Sequence, residues 1–336
     1  MGGGGKLGRT SYGQPELKAR KKRTIAAAVC IFVLMPATIA ASTIFFGGAK
    51  YMITSLLLII YTMVPFFMIF EKRKPKAREV VLIAMMTAIT VVIHIFFHMT
   101  IPIPIGTALV IISGVSLGPE AGFMVGALAR FVCNFFQGQT PNTPWQMFCW
   151  GLLGFLAGLA FNKVTVKNRY ESLGDEGKAA AVKALEEKKS RNFKVVMGPV
   201  MCVFAGVILA YVTYVFVPGE DTTFWGWRVY AFGGAGLIAG ALLQRKRLPA
   251  DGLTLALFTL LTTVIIYGGI MNMAAMFTAS AIPGNDISFN TLRLLYISGL
   301  PYDLYHGGTA ALCIFVIGGP MIEKLERIKI KYGIYR

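Results

Sequence analysis

The chain has 336 residues, of which 55% are hydrophobic and only 15% are charged. This balance, with a mean hydropathy of +0.63, excludes an ordinary soluble domain, which would need far more polar surface. The formal net charge of +17 would suit a nucleic-acid-binding protein. The basic residues, however, lie in short segments between apolar runs, which is typical of a membrane protein and predicts no nucleic-acid partner.

Apolar runs recur from one end of the chain to the other, and a bilayer requires about 20 apolar residues for each spanning helix. The pattern predicts an all-α, polytopic membrane bundle with about ten transmembrane helices. Some of these runs are short for a full span, so they must lie within a bundle or in locally thin membrane. The predicted spans are 24–46, 50–70, 79–98, 104–119, 121–136, 147–162, 195–217, 228–244, 252–277 and 297–319.

The segments between the spans predict how the chain is oriented. With the N-terminus inside, the cytoplasmic segments contain 29 of the 33 Lys and Arg residues. The positive-inside rule therefore predicts a multi-pass protein of the plasma membrane with both termini in the cytoplasm. These segments are the flexible basic tail 1–23, the link 71–78, the charged loop or helix 163–194, the link 245–251 and the basic tail 320–336.

Motifs for catalysis are weak in this sequence. The closest approach to a P-loop, "GDEGKA", fails in spacing and lacks the final hydroxyl residue, so we predict no ATPase activity for this chain. "GVSLG", Gly114 to Gly118, matches the nucleophile elbow of serine hydrolases, but it lies in an apolar helix. Small residues that let helices pack closely are the favoured explanation. We predict no catalytic residue, no cofactor and no metal site.

Two further stretches indicate close helix packing. In "GPEAGFMVGALARF", Gly122 and Gly126 form a small-xxx-small pair, while Arg130 places a charge within a predicted span. Such a charge is costly in lipid, and both a structural and a functional role for Arg130 stay open. In "VLIAMMTAITVV", Ala84 and Ala88 lie one helical turn apart, which suits ordinary packing or docking on another membrane subunit.

Polar residues gather near the predicted outer ends of four segments, which predicts a polar pocket open to the outside. Asp303 and His306 are three residues apart and share a helix face, but no third metal ligand is evident. His94 and His98 are interpreted as a polar helix end rather than a metal site. The predicted substrate-binding residues are Asn134, Gln137, Gln139, Trp145, Gln146, Trp150, Asn272, Tyr302, Asp303 and His306.

Two long stretches resemble one known family, the substrate-binding S components of energy-coupling factor (ECF) vitamin transporters. They are "TALVIISGVSLGPEAGFMVGALARFVCNFFQGQTPNTPWQMFCWGLLGFLAG" and "LPYDLYHGGTAALCIFVIGGPMIEKLERIKIKYG". The resemblance implies a six-helix core, with helices 1–4 in 79–162 and helices 5–6 in 252–319. It also implies an outward vitamin pocket capped by the loop from His98 to Gly106.

The same resemblance implies partners for the chain. Ala84 and Ala88 would dock on a transmembrane coupling subunit, and two cytoplasmic ATPases would complete an ABC importer. Transport would involve toppling of the S component in the membrane.

The sequence departs from the family pattern in three places. It has two extra helices within 24–70 and an extra hairpin within 195–244, and Asn142 stands where relatives have an aromatic residue. Long members of the family resemble predicted cobalamin transporters, so cobalamin is the predicted ligand and riboflavin or another vitamin is the alternative. An ion-coupled secondary transporter is the second hypothesis, and a membrane enzyme using Ser116 or His306 is the third.

Overall fold

The computed structural model describes residues 77–101, 103–161, 197–216, 226–244, 247–279 and 288–332, together with three isolated residues near the N-terminus. Throughout this part of the chain the regular structure is helical, with one isolated bridge between Phe161 and Leu248. The helices are α1 (Ala77–Thr100), α2 (Ile105–Leu117), α3 (Pro119–Gln137), α4 (Thr143–Ala160), α5 (Met197–Phe216), α6 (Gly226–Leu243), α7 (Gly252–Ala279) and α8 (Phe289–Lys331).

The prediction of about ten transmembrane helices is not supported by these residues. They contain eight helices, and only α1, α5, α7 and α8 are long and apolar enough to cross a membrane. The other four are shorter or more polar; α2 has 13 residues, or about 20 Å, against a hydrocarbon core of about 30 Å. The predicted spans 24–46 and 50–70 fall outside the described residues, apart from the isolated positions.

Glycines separate the first helices of the bundle. Gly118 is the single residue between α2 and α3, and it has φ +99°, a conformation that favours glycine. Pro119 then occupies the first turn of α3. Gly138, with φ +96°, ends α3 before the polar loop that leads into α4. The sequence "LGPEAG" therefore folds as an immediate helix reversal.

Helices α2, α3 and α4 pack with their backbones almost in contact. A Cβ atom built on Gly122 would lie 2.5 Å from the Gly114 Cα atom and 2.6 Å from the Gly154 carbonyl oxygen. A Cβ atom on Gly126 would similarly meet the backbone of Trp150. Small residues are thus required on these faces, which explains "GVSLG" by helix packing.

Helices α7 and α8 are irregular in different ways. Residues Thr262–Gly268 form a π-helical segment that divides α7 into two α-helical parts. Helix α8 runs for 43 residues, about 65 Å, and contains Pro301 and Pro320. It begins before the predicted residue 297 and continues past 319, so it extends well beyond one bilayer crossing.

The main core lies where α2, α3 and α4 meet α1, α7 and α8. Its largest fully buried side chains include Trp145, Trp150, Phe123 and Phe155. Helix α6 joins through a smaller cluster of Tyr230, Val264 and Leu300. The core positions the start of α4 beside the ends of α1, α3 and α7, and we call this the Gln137 end of the bundle.

Candidate functional site

A network of polar side chains lies between α1, α3 and α4, and we call it the Arg130 cluster. It comprises His94, Arg130, Asn134, Thr143 and Gln146. Arg130 donates from Nε to Gln146 Oε1 at 3.0 Å and from Nη1 to His94 Nε2 at 3.2 Å. Asn134 donates from Nδ2 to Thr143 Oγ1 and to Gln146 Oε1, both at 2.9 Å. Arg130 and Asn134 are one helical turn apart, so both face α4.

Aromatic rings enclose the Arg130 cluster on its buried side. The Arg130 guanidinium carbon lies 5.4 Å from the centre of the Trp150 ring, within the range of a cation–π interaction. His94 meets the same indole edge-on, with ring centres 4.9 Å apart. Gly106, at the start of α2, leaves the space that the Trp150 and His94 side chains fill. The indole ring therefore contacts both Arg130 and His94 and fixes their positions.

A second polar group, the Asp303 cluster, joins α6, α7 and α8. It comprises Tyr230, Asn272 and Asp303. The Asp303 Oδ2 atom accepts hydrogen bonds from the Tyr230 hydroxyl and from Asn272 Nδ2, the latter at 3.0 Å. Gly268, at the end of the π-helical segment, makes room for the carboxylate, because a Cβ atom there would overlap it. A buried carboxylate is thus held at the irregular part of α7.

His306 connects the two clusters. Its Nε2 atom shares a hydrogen bond of 2.9 Å with Thr107 Oγ1. Thr107 follows Gly106, the glycine against Trp150, so two adjacent residues of α2 contact His306 and the Arg130 cluster. The His306 ring also meets Tyr267 of α7 edge-on at 4.7 Å. The polar side chains thus form a nearly continuous band through the bundle.

The predicted binding residues separate into three groups in the structure. Asn134, Gln146 and Trp150 belong to or line the Arg130 cluster, and Asn272, Asp303 and His306 belong to or adjoin the Asp303 cluster. Trp145 is buried and stacks on Phe277 of α7 at 5.5 Å. The remaining three belong to neither cluster: Gln137 ends α3, Gln139 is exposed in the next loop, and Tyr302 is 66% exposed on α8, with its ring centre 6.2 Å from that of His306.

Asn142, where the sequence resemblance implies an aromatic residue, links the start of α4 to α7. Its Oδ1 atom accepts a 2.7 Å hydrogen bond from Thr278 Oγ1 near the end of α7. A phenylalanine or tryptophan side chain could not accept this bond. The departure therefore exchanges an aromatic ring for a polar connection between α4 and α7.

Two apolar cavities lie elsewhere in the bundle, and none of the ten predicted residues lines them. One, of about 430 Å³, is bounded by α4, α5, α6 and α7. The other, of about 480 Å³, is bounded by α6, α7 and α8 and includes Trp227, Tyr230 and Tyr296. Most of the predicted binding residues instead bond to one another or pack in the core, whereas Gln139 and Tyr302 are exposed.

The predicted docking residues, Ala84 and Ala88, are exposed on α1. They lie on a face with Val81, Met85 and Val92, which are also exposed. Lipid or another membrane protein would cover such a face in a bilayer, and the small alanine side chains make its centre flat.

Five residues of the polar band were not among the predicted binding residues: His94, Thr107, Arg130, Thr143 and Tyr230. Arg130 was noticed only as a charge within a predicted span, with its role left open, and Thr143 bonds to Asn134 of the neighbouring helix. The i, i+4 pair His94 and His98 was a detectable signal, and His94 is buried whereas His98 is exposed. Thr107 and Tyr230 carry no local signal, because each gains its role from a partner far away in sequence.

Comparison with known proteins gives a match to a family model over part of the chain. No curated protein and no solved structure matches the chain significantly. Residues 74–179, which are less than half of the chain, match the family model described as "ECF-type riboflavin transporter, S component". The matched range contains α1 to α4, and hence the whole Arg130 cluster, in a stretch that is similar to a transporter's substrate-binding subunit.

Proposed function

We propose that the chain is the membrane-embedded S subunit of an ECF-type ABC importer. It would capture a vitamin at the Gln137 end of the bundle and carry it through the membrane with a coupling subunit and two ATPases. The observation that carries this proposal is the match of residues 74–179 to an S-component family, within which lie the Arg130 cluster and the exposed Ala84–Ala88 face. The chain would bind and move its ligand without catalysing a reaction.

Riboflavin is the first ligand to test, because the matching family is described by that substrate. The match does not support the cobalamin specificity that the sequence predicts, so cobalamin is the second candidate. Amide and indole groups, as in Asn134, Gln146 and Trp150, suit a polar and partly aromatic vitamin in either case. The ligand would have to displace contacts that these side chains now make with one another.

The test is direct ligand binding by the full purified chain. We expect calorimetry in detergent to show tight, 1:1 binding of a vitamin, with riboflavin and cobalamin titrated first and other water-soluble vitamins next. Heat-denatured protein is the control for partition into detergent. Absence of binding for every vitamin would contradict the proposal.

An ion-coupled secondary transporter is the second candidate, and one observation favours it. The π-helical segment Thr262–Gly268 interrupts α7 beside the buried Asp303 carboxylate. Interrupted helices and buried acids are common where transporters bind coupling ions. Uptake by the chain alone in liposomes, driven by a proton or sodium gradient without ATP, would support this candidate instead.

A further inference from the structure

Arg130 is a partly buried cation without an acidic partner among the residues that the structure describes. In the part of the chain that the structure describes, no carboxylate forms an ion pair with it, and Asp303 bonds to Tyr230 and Asn272 instead. Its partners are the neutral groups of Gln146 and His94 and the Trp150 ring. A charge inside a span normally pairs with an opposite charge or marks a functional site. Arg130 therefore lacks a counter-ion at its position in the bundle.

The groups around Arg130 offer more donors than acceptors. Because arginine can only donate, His94 Nε2 must accept the bond from Nη1, and the proton of the neutral imidazole then resides on Nδ1. His94 Nδ1 is buried without a hydrogen-bond partner, and so is Gln137 Nε2, two turns above Arg130 on α3. Gln146 Oε1, the main acceptor, already receives bonds from both Arg130 and Asn134.

The guanidinium is also held in a fixed position with one edge unoccupied. Gln146 and His94 bind Nε and Nη1, and the Trp150 ring lies against the plane, while no described residue accepts a hydrogen bond from Nη2. The Arg130 side chain is partly exposed, so it is not sealed within the core. A pre-positioned guanidinium with spare donors suits an oxygen anion, since carboxylates and phosphates accept several N–H groups at once.

We propose that Arg130 is the anion-recognition residue of the binding site, and that the ligand carries a carboxylate or phosphate group. This inference rests on the proposed function and narrows its substrate class. The anionic group would accept hydrogen bonds from Arg130, and Gln137, whose Nε2 atom is also without a partner, lies two turns further along the same face of α3. A neutral vitamin would leave the charge without a partner, so anionic vitamins and phosphorylated forms are favoured over neutral ones.

Ligand pairs that differ only in charge test the inference. The full chain in detergent would be titrated calorimetrically with riboflavin against riboflavin 5′-phosphate, pantothenate against panthenol, and biotin against its amide. In the pair that binds, we expect the anion to bind about tenfold more tightly than its neutral counterpart, the usual value of one charge-assisted hydrogen bond. The riboflavin pair tests recognition of a phosphate group, and the pantothenate and biotin pairs test recognition of a carboxylate.

Two variants link the preference to Arg130. Arg130→Gln should abolish the tenfold preference, whereas Arg130→Lys should keep part of it because the charge remains. Thermal unfolding of both variants shows whether they are folded. If a variant is unfolded, the preference of the unmodified chain for the anionic ligand still tests the inference. Equal binding of the anionic and neutral forms, or a preference that survives Arg130→Gln, would overturn this inference. The proposed function would be unaffected, because the chain would still bind a vitamin. Absence of binding by any vitamin overturns both this inference and the proposed function.

Discussion

At the scale of single residues, two charged side chains of the polar band, Arg130 and Asp303, differ in their partners. Asp303 accepts hydrogen bonds from Tyr230 and Asn272, whereas Arg130 gives its protons to neutral acceptors and rests on Trp150. A carboxylate in the low-dielectric interior depends on such donors, because burial without them is costly. Asp303 thus acts as a fixed point at which α6, α7 and α8 meet.

Removing one of these donors should destabilise the bundle. Tyr230→Phe deletes the hydroxyl group and leaves the buried carboxylate one hydrogen bond short, so we expect a loss of about 1–3 kcal/mol in the free energy of unfolding. Thermal unfolding in detergent measures it as a lower midpoint. Tyr332→Phe is the control, since Tyr332 is 46% exposed at the far end of α8. Equal midpoints for both variants would show that the hydroxyl contributes nothing.

At the scale of elements, glycines determine how α2, α3 and α4 pack. Gly114, Gly122 and Gly154 lie so close that a Cβ atom on Gly122 or Gly154 would overlap the backbone of a neighbouring helix. Backbone atoms cannot move aside as the end of a flexible side chain can. This contact holds α4, and with it Trp150 and Gln146, in place beside Arg130.

A methyl group at the centre of this contact should force the helices apart. We expect Gly122→Ala to lower the free energy of unfolding by about 1–3 kcal/mol, as overpacking does in other cores. Gly308→Ala is the matched control, because Gly308 is a helical glycine with open space around its Cβ position. If Gly122→Ala were as stable as Gly308→Ala in denaturant or thermal unfolding, the close packing would not matter for stability.

Hydropathy predicted the existence of the described helices, since each of the eight coincides with an apolar run. It did not predict the ends of α8, because the segment from Phe289 to Tyr296 mixes polar and apolar residues and becomes helical by packing on α6. Nor does any sequence rule identify the π-helical segment in α7. Tertiary contacts decide both features.

The polar residues of the candidate site were visible in the sequence, but their arrangement was not. The sequence predicted an open pocket from residues such as Trp145 and Asp303, and the structure buries both among other side chains. Tyr230 went unrecognised because an aromatic residue in an apolar run is ordinary, and only its pairing with Asp303, 73 positions away, gives it significance. Pairings of this range cannot be read from spacing.

At the scale of the whole molecule, the proposed function separates binding from transport. The ligand would bind at the Gln137 end, whereas the coupling subunit would contact the exposed face of α1 along its length. A change on that face should therefore affect transport without changing the binding site.

A bulky residue on α1 tests this separation. We expect Ala84→Trp to abolish vitamin uptake by cells and to leave the affinity of the purified chain unchanged, because the indole would hold the coupling subunit away. Leu312→Trp is the control, as Leu312 is 65% exposed on α8. Normal uptake by Ala84→Trp, or a loss of ligand affinity, would show that this face is not the docking surface.

The most direct test of the central claim is uptake in liposomes. The chain would be reconstituted alone and with a coupling subunit and two ATPases, and entry of the vitamin that it binds would be followed with ATP or with an ion gradient. We predict uptake only with the complete complex and ATP, and none by the chain alone under either gradient. Ion-driven uptake by the chain alone would contradict the assignment as an S subunit.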